Sequence, residues 1–186
     1  MLRYPAAYGP AGVADVQAWS GLSRLREVTG RLGGRPRPFT GPDGGRPLGL
    51  ADAPTPGPDV PAPPRFLSEY DNLLLSFAER GRVIPHRRPV PLPPGDGAAA
   101  GTLLVDGFWQ ADWKITKSGA AKGRGETILA IQPFIRLGPA GRAAVAAEGE
   151  RLLEFAAPGG TGRDVRFAGV AEWRDGAWSP GSVRVN

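Results

Sequence analysis

A chain of 186 residues has room for one medium domain or two small ones, and the contrast between its segments favours two. With no cysteine and one histidine, His86, it offers no disulfide framework, no thiolate nucleophile and no Cys- or His-based metal centre, so neither metal nor cofactor is expected. The net charge of +5 and the pI near 10.2 favour a polyanion as partner, and the lack of a leader-like start or a membrane-length apolar run makes a cytoplasmic, nucleoid-associated protein the expectation.

Residues 1–50 hold most of the excess charge: Arg3, Arg24, Arg26, Arg31, Arg35, Arg37 and Arg46 face only Asp15, Glu27 and Asp43. Val13, Val16, Ala18 and Trp19 recur at helical spacing and break at Gly21, which predicts a helix. A second helix is expected to open on Ser23 as its cap and close at Gly33, turning Leu22, Leu25, Val28 and Leu32 inward. The outer residues Ser23, Arg24, Arg26, Thr29 and Arg31 are then available to solvent or nucleic acid. That spacing suits a helix-turn-helix, and the αα-hairpin of a plain bundle explains the same pattern. RPRPFT and PLGL around the Gly-rich GPDGGR predict two short strands, the wing that follows the second helix of a winged-helix domain. Its arginines, Arg35, Arg37 and Arg46, are candidate phosphate contacts, which supply affinity and salt dependence but little sequence choice. The expected winged-helix domain is 1–53.

Residues 54–97 are expected to form a Pro-rich linker and a buried connector. APTPGPDVPAPP, from Ala53 to Pro64, is too rich in proline for helix or central strand. The stretch from Phe66 to Ile84 carries Phe66, Leu67, Tyr70, Leu73, Leu74, Leu75 and Phe77, too much apolar surface to leave in water. Asp71 is expected to cap a short helix there, and Gly81 to end it in the left-handed region. Glu69, Asp71, Asn72, Arg80 and Arg82 read as a structural ion-pair network in preference to a catalytic constellation. The next segment, with His86, Arg87 and Arg88 near its start, reads as a solvated Pro- and Gly-rich loop.

From 98 to 186 the pattern predicts a small, mostly antiparallel β-barrel with one helix. Trp109, Ala111, Trp113 and Ile115 alternate with Gln110, Asp112, Lys114 and Thr116 after a turn at Asp106 and Gly107, the signature of a half-buried strand. This strand and TILAIQPFIRL make a hairpin whose tip bears Lys117, Lys122 and Arg124. The tip can enter a DNA groove or be an ordinary loop, and its GRG lacks the spacing of a phosphate loop. PAGRAAVAAEGERLLEFAA brings Val145, Gly149, Leu152, Leu153 and Ala156 onto one helix face. Two more strands are expected around Asp175 and Gly176, then a frayed end. Trp109, Trp113, Trp173 and Trp178 are assigned to core or rim packing, with base stacking as the alternative.

YGPAGVADVQAWSGLSRLREV, PAPPRFLSEYDNLLLSFAERGRVI, GTLLVDGFWQADWKI and ETILAIQPFIRL, in that order from about residue 3 to about Phe167, resemble the C-terminal part of the winged-helix DNA-binding-domain family that includes the AlkZ- and YcaQ-type DNA glycosylases. The ordered set AWSGL, EYDNLLLS, RVI and LVDGFW carries the resemblance. It implies tandem winged helices followed by a C-terminal barrel, acting on DNA, in proteins that hydrolyse the N-glycosidic bond of alkylated or cross-linked bases. The resemblance implies that this chemistry uses a glutamine-containing motif in the N-terminal part of the family. Neither VQAW at Gln17 nor AIQPF at Gln132 reproduces that motif, and Phe77 stands where members often have histidine, so no catalytic residue is carried over.

The function expected is therefore that of a truncated glycosylase-like protein. It would bind duplex DNA through arginine-phosphate contacts, with upstream winged-helix domains of the same protein as further partners. Two alternatives stand beside it: an active glycosylase for damaged bases using Glu69, Asp71 or Asn72, and a protein-interaction or regulatory module.

Overall fold

The computed structural model describes residues 2–33, 36–41, 44–85, 100–118, 125–158, 162–174 and 177–181. It divides into two units, Met1–Val60 with Asp71–Arg88 and Pro61–Tyr70 with Pro89–Asn186.

Three short helices open the first unit: α1 (Arg3–Tyr8), α2 (Val13–Ser20) and α3 (Leu25–Thr29). The sequence reading lacked α1, which buries Tyr4 and Pro5. The expected helix at Val13 is α2; it ends at Gly21, whose φ of 69° is the left-handed conformation glycine adopts without steric cost. At the start of α2, the Asp15 carboxylate accepts from the Gly12 N–H at 2.8 Å and so satisfies a backbone donor that the helix leaves unpaired. Entry to α3 differs from expectation. The cap position is Arg24 at φ 60°, without a side-chain cap, and Ser23 is exposed beside it. This left-handed turn makes α3 a helix of 5 residues that buries Leu25, while Leu22 is 60% and Val28 38% exposed, so the four-residue inward face shrinks to one buried and one half-buried position, Leu25 and Leu32. A pair of strands follows, β1 (Pro36–Pro38) and β2 (Leu48–Leu50), antiparallel in the register Arg37 to Gly49. Ala11, between α1 and α2, exchanges both backbone hydrogen bonds with Leu48 of β2, at 2.9 and 3.0 Å. Tyr4, Ala11, Val16 and Leu25 form the core of this body.

The apolar stretch from Phe66 is divided between the units. Phe66 and Leu67 belong to β3 (Arg65–Leu67) of the second unit, whereas 71–84 belongs to the first. Asp71 caps as expected, its Oδ1 accepting from the Leu73 N–H at 2.8 Å, but it opens a single 3-10 turn, Asn72–Leu74. A second such turn, Arg80–Arg82, is capped by Glu79, which accepts from the Gly81 N–H at 3.0 Å. Gly81 lies inside this turn and is absent from the positive-φ residues, so it does not end a helix. Two carboxylates, each closing one turn, replace the continuous helix. Among the described residues, no ion pair joins Glu69, Asp71, Arg80 and Arg82 into the expected network. Leu74, Ser76, Phe77, Val83 and Ile84 are buried.

The second unit contains β3, β4 (Gly101–Val105), β5 (Phe108–Ser118), β6 (Glu126–Pro133), α4 (Pro139–Ala156), β7 (Gly162–Phe167), β8 (Gly169–Arg174) and β9 (Ala177–Gly181). Asp106 and Gly107, both at positive φ, turn β4 into β5. The period of two along β5 holds: Trp109 and Ala111 are buried, whereas Lys114 and Thr116 are exposed. The Trp113 ring crosses Gly101 so closely that a Cβ there would lie 2.4 Å from its atoms, and Nε1 donates to Leu67 O at 2.9 Å. Trp109 Nε1 donates to Ala111 O and Asp112 Oδ1, so both tryptophans are packing residues, as expected.

The sheet order is β3-β4-β5-β6-β7, with every pair antiparallel except β6 and β7, which run parallel across the α4 crossover. Sequence reading placed two strands in the region that holds β7, β8 and β9 and did not foresee the parallel pair. The expected barrel is not formed among the described residues. The three residues of β3 pair with β4 alone, α4 packs on β3, β6 and β7, and the edges β3 and β7 stay unjoined. Val145, Gly149 and Leu153 of α4 are buried, Leu152 is half-buried, and Ala156, expected on the same face, is exposed. β8 and β9 form a separate antiparallel pair. The turn at Asp175 and Gly176, the side chains of Trp173 and Trp178, and the expected frayed end lie outside the described residues.

Candidate nucleic-acid interface

The first unit contains eleven arginines against seven carboxylates, so it carries +4 of the net +5. Arg24 is spoken for in part: its Nε donates to Glu27 Oε1 at 3.0 Å in an exposed pair one helical turn apart. Pairs of this kind contribute little to stability because both partners remain hydrated. Arg26 and Arg31 are exposed, and among the described residues their guanidinium groups meet no carboxylate. Thr29 is half-buried and donates from Oγ1 to Arg26 O at 2.6 Å, back onto its own turn.

On the hairpin, Arg37 is exposed and its guanidinium carbon lies 4.7 Å from the centre of the Phe39 ring. Arg46 is exposed on the other arm. Lys117 is exposed near the end of β5. Arg35, Lys122 and Arg124 lie outside the described residues, as do His86, Arg87 and Arg88. The described arginines of 24–46 thus stand in and beside α3, on β1 and on the arm before β2, with few internal partners to give up on meeting an anion.

The first unit also holds a buried polar cluster that sequence reading missed. Asp15 is 8% exposed; one of its oxygens holds Gly12 N and the other accepts from Ala78 N at 3.0 Å. The Tyr4 hydroxyl donates to Ser76 O. Burial, and next the Asp15 charge, push the Tyr4 phenol up to about 12, with Arg82 acting against them. Arg82 donates to Pro10 O at 2.6 Å and lies 5.1 Å over the Phe77 ring, which also meets Tyr8 edge-on. Thus Phe77, where the family resemblance suggested histidine, is a buried support for a guanidinium. The cluster fastens 71–84 onto α1 and α2 within the first unit. Its members are separated by up to 72 residues, so no local window of sequence shows it; the one signal is an aspartate inside an apolar helical pattern.

Neither Gln17 nor Gln132 stands out as a reacting group. Gln132 donates from Nε2 to Gly169 O at 2.6 Å, joining the end of β6 to β8, and Gln17 is half-buried in α2. Asp71 is committed to its cap. Among the described residues no group of three or more His, Asp or Glu could hold a metal ion, and no helix is long and apolar enough to cross a membrane.

Residues 1–155 match the sequence model of the family described as DNA glycosylase AlkZ-like. No curated protein sequence matches the chain. Its fold is similar to that of the Streptomyces sahachiroi DNA glycosylase AlkZ, with a TM-score of 0.54 at 20% identity, over 89% of this chain and 44% of that one. The chain therefore spans less than half the length of the protein whose fold it shares.

Proposed function

The chain belongs to the AlkZ-like DNA glycosylase family, and from that premise we propose that it is a DNA-repair-related protein whose first unit is a winged helix that binds duplex DNA mainly through arginine-phosphate contacts. What carries the reading is the concentration of +4 in a body built as helix, bridge strand, two helices and a two-stranded hairpin, with Arg26, Arg31, Arg37 and Arg46 exposed on its last elements. That order of elements supports the winged-helix reading, in which α3 is the recognition element and β1-β2 the wing. Because α3 is short and enters through a left-handed Arg24, its guanidinium groups serve to position the protein on the backbone, not to read base edges. Lys117, exposed near the end of β5, is a further proposed phosphate contact, together with Lys122 and Arg124, which follow it in the sequence and lie outside the described residues.

Six arginines, Arg24, Arg26, Arg31, Arg35, Arg37 and Arg46, are the proposed phosphate contacts. If all six neutralise a phosphate, affinity for a random duplex falls about a thousandfold between 50 and 200 mM salt, and each Arg→Ala change lowers the slope of log K against log salt by about 0.9. Absence of binding to any duplex at low salt rejects the reading.

A second reading, base excision by this chain itself, has the family's chemistry in its favour. Incubating the chain with alkylated DNA and assaying for abasic sites tests it. Since Asp71 is occupied in holding Leu73 N, Asp71→Asn is expected to leave any such activity in place; loss of base release in that variant would make Asp71 a participant.

A further inference from the structure

The hairpin arginine Arg37 is not free to wander. Arg37 and Phe39 are two residues apart on β1 and its extension, so their side chains leave the same face. Phe39 continues the ladder beyond the strand, its N–H donating to Pro47 O at 2.8 Å. The seat for its ring is made by Gly49, the residue opposite Arg37 in the register. A Cβ on Gly49 would sit 2.6 Å from Phe39 Cε2 and 3.3 Å from Pro10 Cγ, so the ring lies over bare glycine backbone next to Pro10. The Arg37 guanidinium then rests 4.7 Å from the ring centre. Arg46, on the opposite arm, meets no ring or carboxylate among the described residues.

We propose that Phe39 is a positioning residue, which holds the Arg37 guanidinium in place for a DNA phosphate. The proposal rests on the duplex-binding reading above. A long cationic side chain that must be ordered on binding loses part of its gain to that ordering; a ring that orders it beforehand removes part of the cost. Because the face of the ring attracts the cation without neutralising it, the charge stays available to the anion.

The test is a double-mutant cycle on affinity for a random-sequence duplex at fixed low salt. Phe39→Leu is expected to weaken binding about two- to fivefold, the range of an exposed cation-π contact. In an Arg37→Ala background the same change should have no further effect, whereas with Arg46→Ala the two losses should multiply. Phe39→Tyr, which keeps the ring, should bind as the parent does. An equal loss from Phe39→Leu with and without Arg37 would overturn the proposal, since it would mean that the ring merely stabilises the hairpin. A second measurement needs no DNA: the Arg37 side-chain protons should show an upfield ring-current shift that disappears in Phe39→Leu, and absence of that shift would also overturn it. If the shift is present and the parent binds no duplex, the duplex-binding reading is what fails, and Phe39 is left with a packing role only.

Discussion

Asp15→Asn probes the buried cluster with a change of a single atom. In the parent, both carboxylate oxygens accept from backbone donors, Gly12 N at 2.8 Å and Ala78 N at 3.0 Å, and the residue is 8% exposed. An amide has one accepting oxygen, so whichever N–H meets the new NH2 group loses its partner and faces another donor in a site with little access to water. A hydrogen bond to a charged group contributes about 1.5–3 kcal/mol, and stranding a buried donor costs about 1–3 kcal/mol; the two overlap, so we expect a loss of about 3 kcal/mol. Urea unfolding of the parent and variant reads the loss as a lower midpoint at unchanged slope. Amide hydrogen exchange locates it, because the Ala78 N–H should exchange much faster if 71–84 loses its hold on α2. A loss below about 1 kcal/mol, or Gly12 and Ala78 amides both as protected as in the parent, would refute the reasoning.

Tyr4 gives a prediction at high pH. Its phenol is 2% exposed and raised to about 12, above its value in an unfolded chain, so its contribution to stability is complete below pH about 10 and disappears as pH rises to 12. The shift corresponds to about 2–3 kcal/mol, and Tyr4→Phe should flatten the fall in unfolding free energy between those pH values. Two glycines of α4 should respond to alanine with opposite signs. At Gly141 a Cβ meets nothing within 4 Å, and the gain in helix propensity should stabilise by about 0.5–1 kcal/mol. At Gly149 it would stand 2.9 Å from Leu129 and 3.2 Å from the stiff Val165 side chain, so crowding should outweigh propensity and cost about 1–2 kcal/mol; thermal or urea midpoints of the two variants decide the signs.

Elements written in short-range pattern were legible. The alternation from Trp109 to Ile115, the turn at Asp106 and Gly107, the helix at Val13, the hairpin of 36–50 and the long helix at Pro139 all occur where residue spacing put them. The Asp71 cap was also visible, since an aspartate two residues before a free N–H needs no distant partner. Failures came where local signals were ambiguous. A serine before an apolar run suggests a cap, yet Arg24 takes a left-handed turn and Ser23 remains outside. The apolar stretch after Pro64 looked like one connector because periodicity cannot show that Phe66 pairs with Leu103 while Phe77 packs with Tyr8.

The sequence alone determined where the charge sits, which of the strongly periodic segments are helix or strand, and the family to which the chain belongs, because composition, period and ordered short motifs all lie within reach of neighbouring residues. Only the tertiary structure decided that the sheet includes a parallel pair, that Asp15 is a buried fastener and that Arg37 rests on Phe39 above Gly49. Strand partners and buried polar contacts are chosen by competition among segments tens of residues apart, and that choice depends on which apolar surfaces and unpaired donors meet once the chain has collapsed.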